Sequence, residues 1–319
     1  MKDRSVLIVD DIPSIRTAIA DYLSFHFEVL QAADGVDAWE VCQNRPVDFL
    51  LTDIRMPQMG GLELIELYRK AFPGRPFALM TAYDINDYVR YARELKIWNI
   101  IPKSTFLDLH FIHVMIRKLL SGKIFGVSEY FSECEVEPHS FAAIYRLLKD
   151  PDFVPESGKL YRLSIETQEE KDRACDLATD LLGRGGAPSL VRQILEELMS
   201  NAMVYGRLPV EGRNRVELEA GVVRNYCILV VRDFAGGLNR SEILRRLERQ
   251  VTLDAKGLPV GLADQHGRGL FISRENLDHL IFNIQPDHCT EVIGMLLSDL
   301  EVRNRGVSIY STEPDSDVS

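Results

Sequence analysis

Four short apolar segments in the first third of the chain each end abruptly at a charged or hydroxyl-bearing residue. Such segments, separated by helical patterns, are typical of the parallel strands of a doubly wound α/β sheet. Because the carboxyl ends of parallel strands meet at one edge of the sheet, we expect the residues that follow the strands to lie together there. The segments are Ser5–Val9 before Asp10 and Asp11, 47–52 before Asp53, 77–80 before Thr81, and 97–102 before Lys103.

The chemistry of these residues points to a metal-dependent phosphoacceptor. Asp10, Asp11 and Asp53 would repel one another unless a cation joined them, and Mg²⁺ accepts oxygen ligands of this kind. A carboxylate beside Mg²⁺ can attack a phosphoryl donor to give an acyl phosphate. Lys103 would neutralise the added charge, and the Thr81 hydroxyl would meet a phosphoryl oxygen. The sequence therefore predicts a magnesium site with Asp53 as the phosphoacceptor.

Residues 3 to about 120 resemble the receiver domain of two-component response regulators. The resemblance implies a flavodoxin-like domain over residues 1–121, with five parallel strands, phosphorylated on Asp53 by a cognate sensor histidine kinase. It also implies that Thr81 and Lys103 are the switch residues. The matched positions are Asp10-Asp11, Asp53, Met56-Pro57, Gly60-Gly61, Thr81-Ala82 and Lys103.

Three positions near this motif bear on how such a domain would switch. Ile100 stands where most receivers have an aromatic residue that moves with the threonine, which leaves that coupled motion without its second partner. Pro102 precedes Lys103, whereas a proline commonly follows the lysine. Arg55 occupies the position at which family members tune the lifetime of the acyl phosphate.

Charge and hydropathy exclude other classes of protein. A formal net charge of -11 and a pI near 5.2 argue against a nucleic-acid binder, which normally carries a basic face. No apolar run approaches the roughly 18 to 20 residues of a membrane span, and the start shows no signal-peptide pattern. The five scattered cysteines fit reduced thiols. We therefore expect a soluble cytoplasmic protein with no direct nucleic-acid or membrane partner.

Beyond the receiver-like region the sequence predicts three further parts. We expect a partly helical linker over residues 122–158, a second domain over 159–304, and a disordered acidic tail over 305–319. His110, His113 and His139 lack the sequence context of a sensor kinase's phosphoacceptor histidine.

A helical segment from Val191 to Tyr205 places an acid and a carboxamide on one face. Glu197 and Asn201 are four residues apart and therefore share that face, while apolar residues on the opposite side can pack against a sheet. By itself this pattern is more typical of a solvated polar stripe on an ordinary amphipathic helix than of a binding site.

Two turns later in the sequence contain residues that could bind a nucleotide. Segments 215–223 and 226–232 predict an antiparallel strand pair that ends at Asp233, before a bend of small residues ending at Gly237. Such a bend lets a flat ring approach, and the carboxylate can accept a hydrogen bond from an exocyclic amine such as that of adenine. Further along, Gly267-Arg268-Gly269 would expose N–H groups at a helix start to a phosphate chain.

Together with Thr290 before a final strand, these motifs resemble the Bergerat (GHKL) ATP-binding fold, an α/β sandwich with a mostly antiparallel sheet. Within it they are most similar to the anti-sigma-factor serine kinases. The resemblance implies that Asn201 ligates Mg²⁺, that Asp233 binds adenine and that Glu197 is the general base. Ala235 replaces a glycine of the family, and we expect it to narrow the adenine pocket. The other residues expected at ATP are Gly237, Gly267, Arg268, Gly269 and Thr290.

We therefore expect a response regulator whose output domain binds ATP and Mg²⁺ and phosphorylates a serine of a partner protein, such as an anti-sigma antagonist. One alternative is ATP-dependent sequestration of a sigma factor or antagonist without catalysis. Another is an ATPase or phosphatase that acts on a partner regulator, with Glu197 acting on water. Because both families often self-associate, a homodimer is also expected.

Overall fold

The chain divides into two compact units in the computed structural model. Unit 1 comprises residues 1–124 with 313–319, and unit 2 comprises residues 125–312. The division falls close to the expected end of the receiver-like region at residue 121. The residues that the structure describes are 3–82, 88–103, 107–186, 189–205, 215–253, 260, 268–297 and 305–313.

Unit 1 alternates strands and helices, as its sequence pattern predicts. Its elements are β1 (Ser5–Val9), α1 (Pro13–Ser24), β2 (Glu28–Ala32), α2 (Gly35–Asn44), β3 (Phe49–Asp53), α3 (Gly61–Ala71), β4 (Phe77–Thr81), α4 (Val89–Glu94), β5 (Asn99–Pro102) and α5 (Leu109–Ser121).

The strands of unit 1 form a parallel sheet in the order β2-β1-β3-β4-β5. Every residue of β1, β3 and β4 is buried, which is the pattern of a parallel sheet covered on both faces. Because the strands run in the same direction, the residues at the carboxyl ends of β1, β3, β4 and β5 reach one edge of the sheet. The predicted parallel α/β architecture is confirmed for this unit.

Short polar residues and glycine set the helix boundaries in unit 1. The Asp34 side chain accepts the N–H groups of Val36 and Asp37 and so caps α2, and Asp108 caps α5 in the same way. α5 ends at Gly122, whose φ of 70° favours glycine.

Unit 2 begins with a short parallel strand pair and continues with mostly antiparallel strands. Its elements are β6 (Glu135–Pro138), α6 (Phe141–Lys149), β7 (Lys159–Ile165), α7 (Gln168–Arg184), α8 (Val191–Tyr205), β8 (Val216–Val223), β9 (Tyr226–Asp233), α9 (Arg240–Val251), α10 (Arg268–Asn276), β10 (His279–Gln285), β11 (Cys289–Leu297) and β12 (Gly306–Ser311).

The strands of unit 2 form a mixed sheet in the order β12-β10-β11-β9-β8-β7-β6. The pairs from β10 to β7 are antiparallel, whereas β6 pairs with β7 and β12 pairs with β10 in parallel. The helices contact one another in the series α6, α7, α8, α10 and α9, and α7, α8, α9 and α10 also contact the sheet. Unit 2 is therefore a layer of helices on a largely antiparallel sheet.

A group of charged side chains, which we call the ionic cluster, lies on the sheet of unit 2. Arg232 Nη1 is 3.0 Å from Glu217 Oε2 and 3.3 Å from Glu219 Oε1. Arg232 Nη2 also pairs with Glu291 Oε2, and Arg162 Nη2 is 2.6 Å from Glu219 Oε1. The three glutamates are buried. Burial would lower the pKa of Arg232, but the glutamates, Glu291 first, raise it above its usual range.

The start of unit 2, residues 125–134, packs against the ionic cluster. Gly126 N donates to Glu291 Oε1 at 2.8 Å, and the hydroxyl oxygens of Tyr130 and Tyr310 are 3.3 Å apart. The ring centroids of Phe131 and Tyr226 lie 5.5 Å apart. This segment therefore belongs to the folded body of unit 2, although the sequence analysis expected a linker over residues 122–158.

The end of the chain also differs from the expectation. Residues 305–319 were expected to form a disordered tail, but Gly306–Ser311 is β12, paired with β10. Val307 and Ile309 are buried in this strand, and the burial of their apolar side chains stabilises its folded conformation.

Among the described residues, no helix combines the length and apolar character needed to cross a bilayer. The five cysteines, all within the described ranges, form no disulfide.

Replacing Arg232 with Met should destabilise unit 2, because three buried carboxylates would lose a shared cation. We expect the free energy of unfolding to fall by about 3 kcal/mol, the lower end for a broken buried ion pair, since Arg162 remains beside Glu219. The measurement is native-state hydrogen exchange of the amides in β9 and β11.

The matched control is Arg224→Met, which removes an exposed ion pair with Glu133. Such pairs contribute less than about 1 kcal/mol. Equal exchange in the two variants would contradict a stabilising role for Arg232.

Candidate functional site

Three carboxylates meet at the carboxyl edge of the unit 1 sheet. Asp10 and Asp11 follow β1, and Asp53 ends β3. One oxygen from each lies within 4.8 Å of the others, and we call this group the acid cluster. Asp10 and Asp53 are buried, whereas Asp11 is exposed. Because Mg²⁺ binds oxygens at roughly 2.1 Å, ligands on opposite sides of one ion are roughly 4 Å apart, so this spacing fits a divalent cation.

Lys103 supplies the positive charge of the acid cluster. Its Nζ lies 2.6 Å from Asp10 Oδ2 and 2.8 Å from Asp53 Oδ2, and its side chain is buried. The Lys103 N–H donates to the Thr81 carbonyl at 2.6 Å, which ties the lysine to the end of β4. The structure thus brings together all five residues predicted at this edge.

The Asp53 carboxyl is held in an environment that disfavours its charge. Burial raises its pKa above the usual value, and hydrogen bonding and attraction from Lys103 oppose that rise only in part. The Ile54 N–H donates to Asp53 Oδ1 at 2.8 Å and fixes the carboxylate plane. A cation or an added partner at this site would therefore relieve an existing cost.

Residues beside the acid cluster explain two sequence features. A Cβ at Gly61 would lie 1.8 Å from the Asp53 carbonyl oxygen, so the chain after β3 can return this closely only with glycine. Ile100 is buried in β5 opposite Leu79 of β4, in the place expected for the family's mobile aromatic residue. Arg55 Nε donates to the Tyr88 hydroxyl at 3.1 Å, which links the loop after Asp53 to the start of α4.

Unit 2 contains an apolar pocket between its helices and its sheet. The space between atoms there is about 440 Å³, counting the open mouth, of which the centre of a water molecule can reach about 20 Å³. The pocket is therefore narrow, and the planar base of a nucleotide could enter only if the pocket widened. Its lining residues are Leu198, Asn201, Ala202, Val231, Asp233, Leu238, Arg246, Leu270, Phe282, Thr290 and Val292.

Asp233 and Thr290 lie side by side in this pocket, opposite each other in the β9–β11 ladder. The N–H groups of Ala235 and Gly236 both donate to Asp233 Oδ1 at 3.0 Å, so Oδ2 takes part in neither bond. Burial raises the pKa of Asp233. The Thr290 hydroxyl lies near Asp233 and opposes this rise in the Asp233 pKa. Thr290 Oγ1 is nevertheless buried, and it makes no hydrogen bond of acceptable geometry among the described residues.

The bend after Asp233 depends on Gly236. Its φ is 62°, and a Cβ there would lie 2.3 Å from the Gln285 carbonyl oxygen. Gly237, which the sequence analysis placed at ATP, is exposed and is not among the lining residues. Ala235, expected to narrow the pocket, does not line it either.

Glu197 lies against the first turn of α10. A Cβ at Gly269 would be 1.8 Å from Glu197 Oε2, so glycine is required for the carboxylate to lie there. A carboxylate at a helix N-terminus is favoured by the helix dipole. Asn201, one turn along α8, lines the pocket, whereas Glu197 lies outside it.

The pocket also contains a residue that the sequence analysis missed. Arg246 of α9 lines it, although no sequence motif singled it out. Of the predicted phosphate-binding turn, Gly267 and the side chain of Arg268 lie outside the described residues.

Comparison with known proteins identifies unit 1. Residues 6–112 match the response regulator receiver domain family. The chain is 31% identical over 122 residues to a cyclic di-GMP phosphodiesterase of Thermotoga maritima, covering 38% of this chain and 32% of that protein. It is 36% identical over 101 residues to a response regulator receiver protein of Anaeromyxobacter sp., covering 31% of this chain and 42% of that protein.

A similar solved structure is the N-terminal domain of an uncharacterised protein from Wolinella succinogenes. It shares 26% identity, covers 38% of this chain and 97% of that one, and has a TM-score of 0.35. The matches to the two curated relatives span about a third to two fifths of their lengths.

Unit 1 therefore contains a response regulator receiver domain, the domain type of two-component signalling. The acid cluster lies at the edge of its sheet where the motif predicted it.

Asp53→Asn should stabilise unit 1 at pH 7, because a raised folded-state pKa means that ionised Asp53 costs stability. The gain should shrink as the pH falls through the folded-state pKa of Asp53 towards its usual 3.8, since the wild-type carboxyl is then protonated too. Both tryptophans, Trp39 and Trp98, lie in unit 1, so tryptophan fluorescence during urea unfolding measures this unit.

Asp48→Asn is a control in the same unit for which we expect the opposite change in stability. Burial alone would raise the pKa of Asp48, but hydrogen bonds from Ser5 and Arg4 bring it below the usual value. This substitution should destabilise unit 1 at pH 7, with a loss that shrinks as the pH falls. If Asp53→Asn were also destabilising at pH 7, Lys103 would outweigh burial and our account of Asp53 would be wrong.

Proposed function

We propose that this protein is a response regulator whose receiver domain is phosphorylated on Asp53 by a sensor histidine kinase. Unit 2 would be its output domain, an ATP-binding domain that phosphorylates a serine or threonine of a partner protein in the manner of anti-sigma-factor kinases. Phosphorylation adds up to about two negative charges to the edge of the receiver sheet, enough to bias a domain with two conformations.

The receiver step is supported by the acid cluster and Lys103. Asp10, Asp11 and Asp53 have the donor set and spacing to hold Mg²⁺, which when bound would neutralise charge on the incoming phosphoryl group. An Asp53 oxygen would attack phosphorus while the bond from phosphorus to the donor nitrogen breaks, leaving histidine on the sensor kinase. Lys103 would shift from pairing two carboxylates to pairing the phosphoryl oxygens, and the Thr81 hydroxyl would also donate to them.

The meeting of Asp233, Thr290 and Asn201 in one apolar pocket carries the proposal for unit 2. Apolar walls with a few convergent polar groups are the usual character of a small-molecule site. Asp233 Oδ2 would accept a hydrogen bond from the adenine amino group. Thr290 Oγ1, buried without a hydrogen bond among the described residues, would bond to the base or to a bridging water. Asn201 would contact the metal that accompanies the triphosphate.

Glu197 is the proposed general base. Its carboxylate lies at the start of α10, one helical turn from Asn201, next to the turn proposed to hold the phosphates. It would take the proton of the partner's hydroxyl as that oxygen bonds to the γ-phosphorus and the bond from the γ-phosphorus to the bridging oxygen breaks, releasing ADP. The proposed partner is an anti-sigma antagonist or a sigma factor, and a homodimer remains part of the proposal.

Phosphorylation should require Asp53 and a divalent cation. With a small-molecule phosphodonor and Mg²⁺, the wild type should take up one acyl phosphate, detected by intact mass and by its loss with hydroxylamine. Asp53→Asn should take up none, and chelation by EDTA should abolish the wild-type reaction, since the acid cluster needs its cation.

Asp21→Asn, an exposed acid on α1, is the control and should react as the wild type does. Phosphate on the Asp53→Asn protein would move the phosphoacceptor elsewhere and refute the assignment.

The pocket should bind ATP, and two substitutions should separate binding from transfer. Asp233→Asn keeps an oxygen for the Ala235 and Gly236 N–H groups but presents a donor to the adenine amino group, so ATP affinity should fall about tenfold or more. Glu197→Ala should bind ATP nearly as the wild type does, yet transfer to a candidate antagonist should fall by about 10² to 10⁴. Calorimetry and radiolabelled γ-phosphate measure the two effects.

Glu196→Ala is the matched control, because Glu196 is its exposed neighbour and pairs with Arg192. It should leave transfer unchanged. ATP binding with no transfer or hydrolysis would contradict the kinase hypothesis and support ATP-dependent sequestration of the partner. ATP hydrolysis without transfer would support the ATPase hypothesis. A wild type that binds no ATP would overturn the assignment of unit 2.

A further inference from the structure

The loop between β3 and α3, residues 54–60, starts directly at Asp53 and returns close to it. The Ile54 N–H donates to Asp53 Oδ1 at 2.8 Å, so the position of Ile54 sets the plane of that carboxylate. The Gly61 N–H in turn donates to the Ile54 carbonyl at 2.9 Å, which closes the loop into a ring. A change in the conformation of this loop therefore reaches the Asp53 carboxylate through Ile54.

Gln58 holds the far side of the loop against the start of α2. Gln58 Nε2 donates to Asp34 Oδ2 at 2.7 Å, and the Gly35 N–H donates to the Met59 carbonyl at 3.1 Å. A Cβ at Gly35 would lie 2.6 Å from that carbonyl oxygen, so the loop and α2 are in direct contact. Asp34 is buried, and its other oxygen accepts two N–H groups of the first turn of α2. The acceptor for Gln58 is therefore itself fixed in place.

The backbone of Gln58 lies in the left-handed region, with a φ of 61°. This conformation is unfavourable for a residue with a Cβ, and glycine, asparagine and aspartate adopt it more readily than glutamine does. A hydrogen bond to an ionised carboxylate is stronger than one between neutral groups and can offset this cost. The Gln58 side chain therefore stabilises a loop conformation that its own backbone disfavours.

We infer that Gln58 is a positioning residue for the phosphorylation of Asp53, because its bond to Asp34 holds the loop that orients the Asp53 carboxylate. This inference rests on the proposed function of Asp53. An Asp53 oxygen must lie in line with the bond that breaks at phosphorus, and the rate of such a reaction falls when the attacking group is slightly displaced. Gln58 acts through the loop and Ile54 rather than as a catalytic residue.

The test exchanges the donor and the acceptor of the bond between Asp34 and Gln58. Gln58→Glu places one carboxylate against another, so the bond is lost and the rate of acyl phosphate formation should fall about tenfold. Adding Asp34→Asn to that variant restores a donor and an acceptor, while the new amide oxygen still caps α2. The double variant should recover the rate to within about twofold of the wild type. Intact mass of the full chain measures the rate, with a small-molecule phosphodonor and saturating Mg²⁺.

Gln43→Glu is the matched control, because Gln43 is an exposed residue of α2 and its substitution adds the same charge to unit 1. It should react as the wild type does. Tryptophan fluorescence during urea unfolding checks that each variant is fully folded under the assay conditions. A lower rate then reports the geometry at Asp53, because a loss of stability alone leaves the rate of the folded protein unchanged.

Three outcomes would contradict the inference. A Gln58→Glu variant that reacts at the wild-type rate would overturn it and leave Asp53 as the phosphoacceptor. A reduced rate that Asp34→Asn does not restore would overturn it as well, because the added charge rather than the lost bond would be the cause. A wild type that takes up no acyl phosphate would remove the proposed role of Asp53 and this inference together.

Discussion

Pairing buried carboxylates with a shared and largely buried cation is the interaction on which both units depend. In unit 1, Lys103 lies between Asp10 and Asp53, two carboxylates that would otherwise repel each other at the edge of the sheet. In unit 2, Arg232 does the same among three glutamates. The two sites use the arrangement differently, because the acid cluster opens on one side through the exposed Asp11, while the ionic cluster is covered by residues 125–134.

This difference separates the proposed phosphoacceptor site from a structural one. The raised pKa of Asp53 shows that Lys103 does not fully offset burial, so the folded receiver keeps a carboxylate in an unfavourable state. A bound cation, or a phosphoryl group that engaged Lys103, would lower that cost, and the proposed chemistry at Asp53 would then be coupled to the stability of unit 1. Arg232, by contrast, has hydrogen-bonded partners on three glutamates and has a raised pKa, as expected of a group that holds strands together.

The sequence was informative where chemistry follows directly from the ends of strands. The residues at the carboxyl ends of β1, β3, β4 and β5 had to meet at one edge of a parallel sheet, and they do. Arg246 could not be found in this way, because its approach to the pocket depends on how α9 packs rather than on any periodicity. Residues 125–134 and β12 contain apolar residues, but both segments are short, so only their contacts with strands distant in the sequence show that they belong to the folded unit.

The ladder between β9 and β11 joins the pocket to the ionic cluster. Asp233 is opposite Thr290, and one step along Arg232 is opposite Glu291, so successive residues of the same two strands point to opposite faces. A slip of β9 by one residue would carry Arg232 into the apolar layer beneath the helices and turn Asp233 outwards. Such a pairing would bury a charge without its partners, which is costly. The ion pairs of Arg232 on one face therefore favour the strand register that places Asp233 in the pocket on the other face.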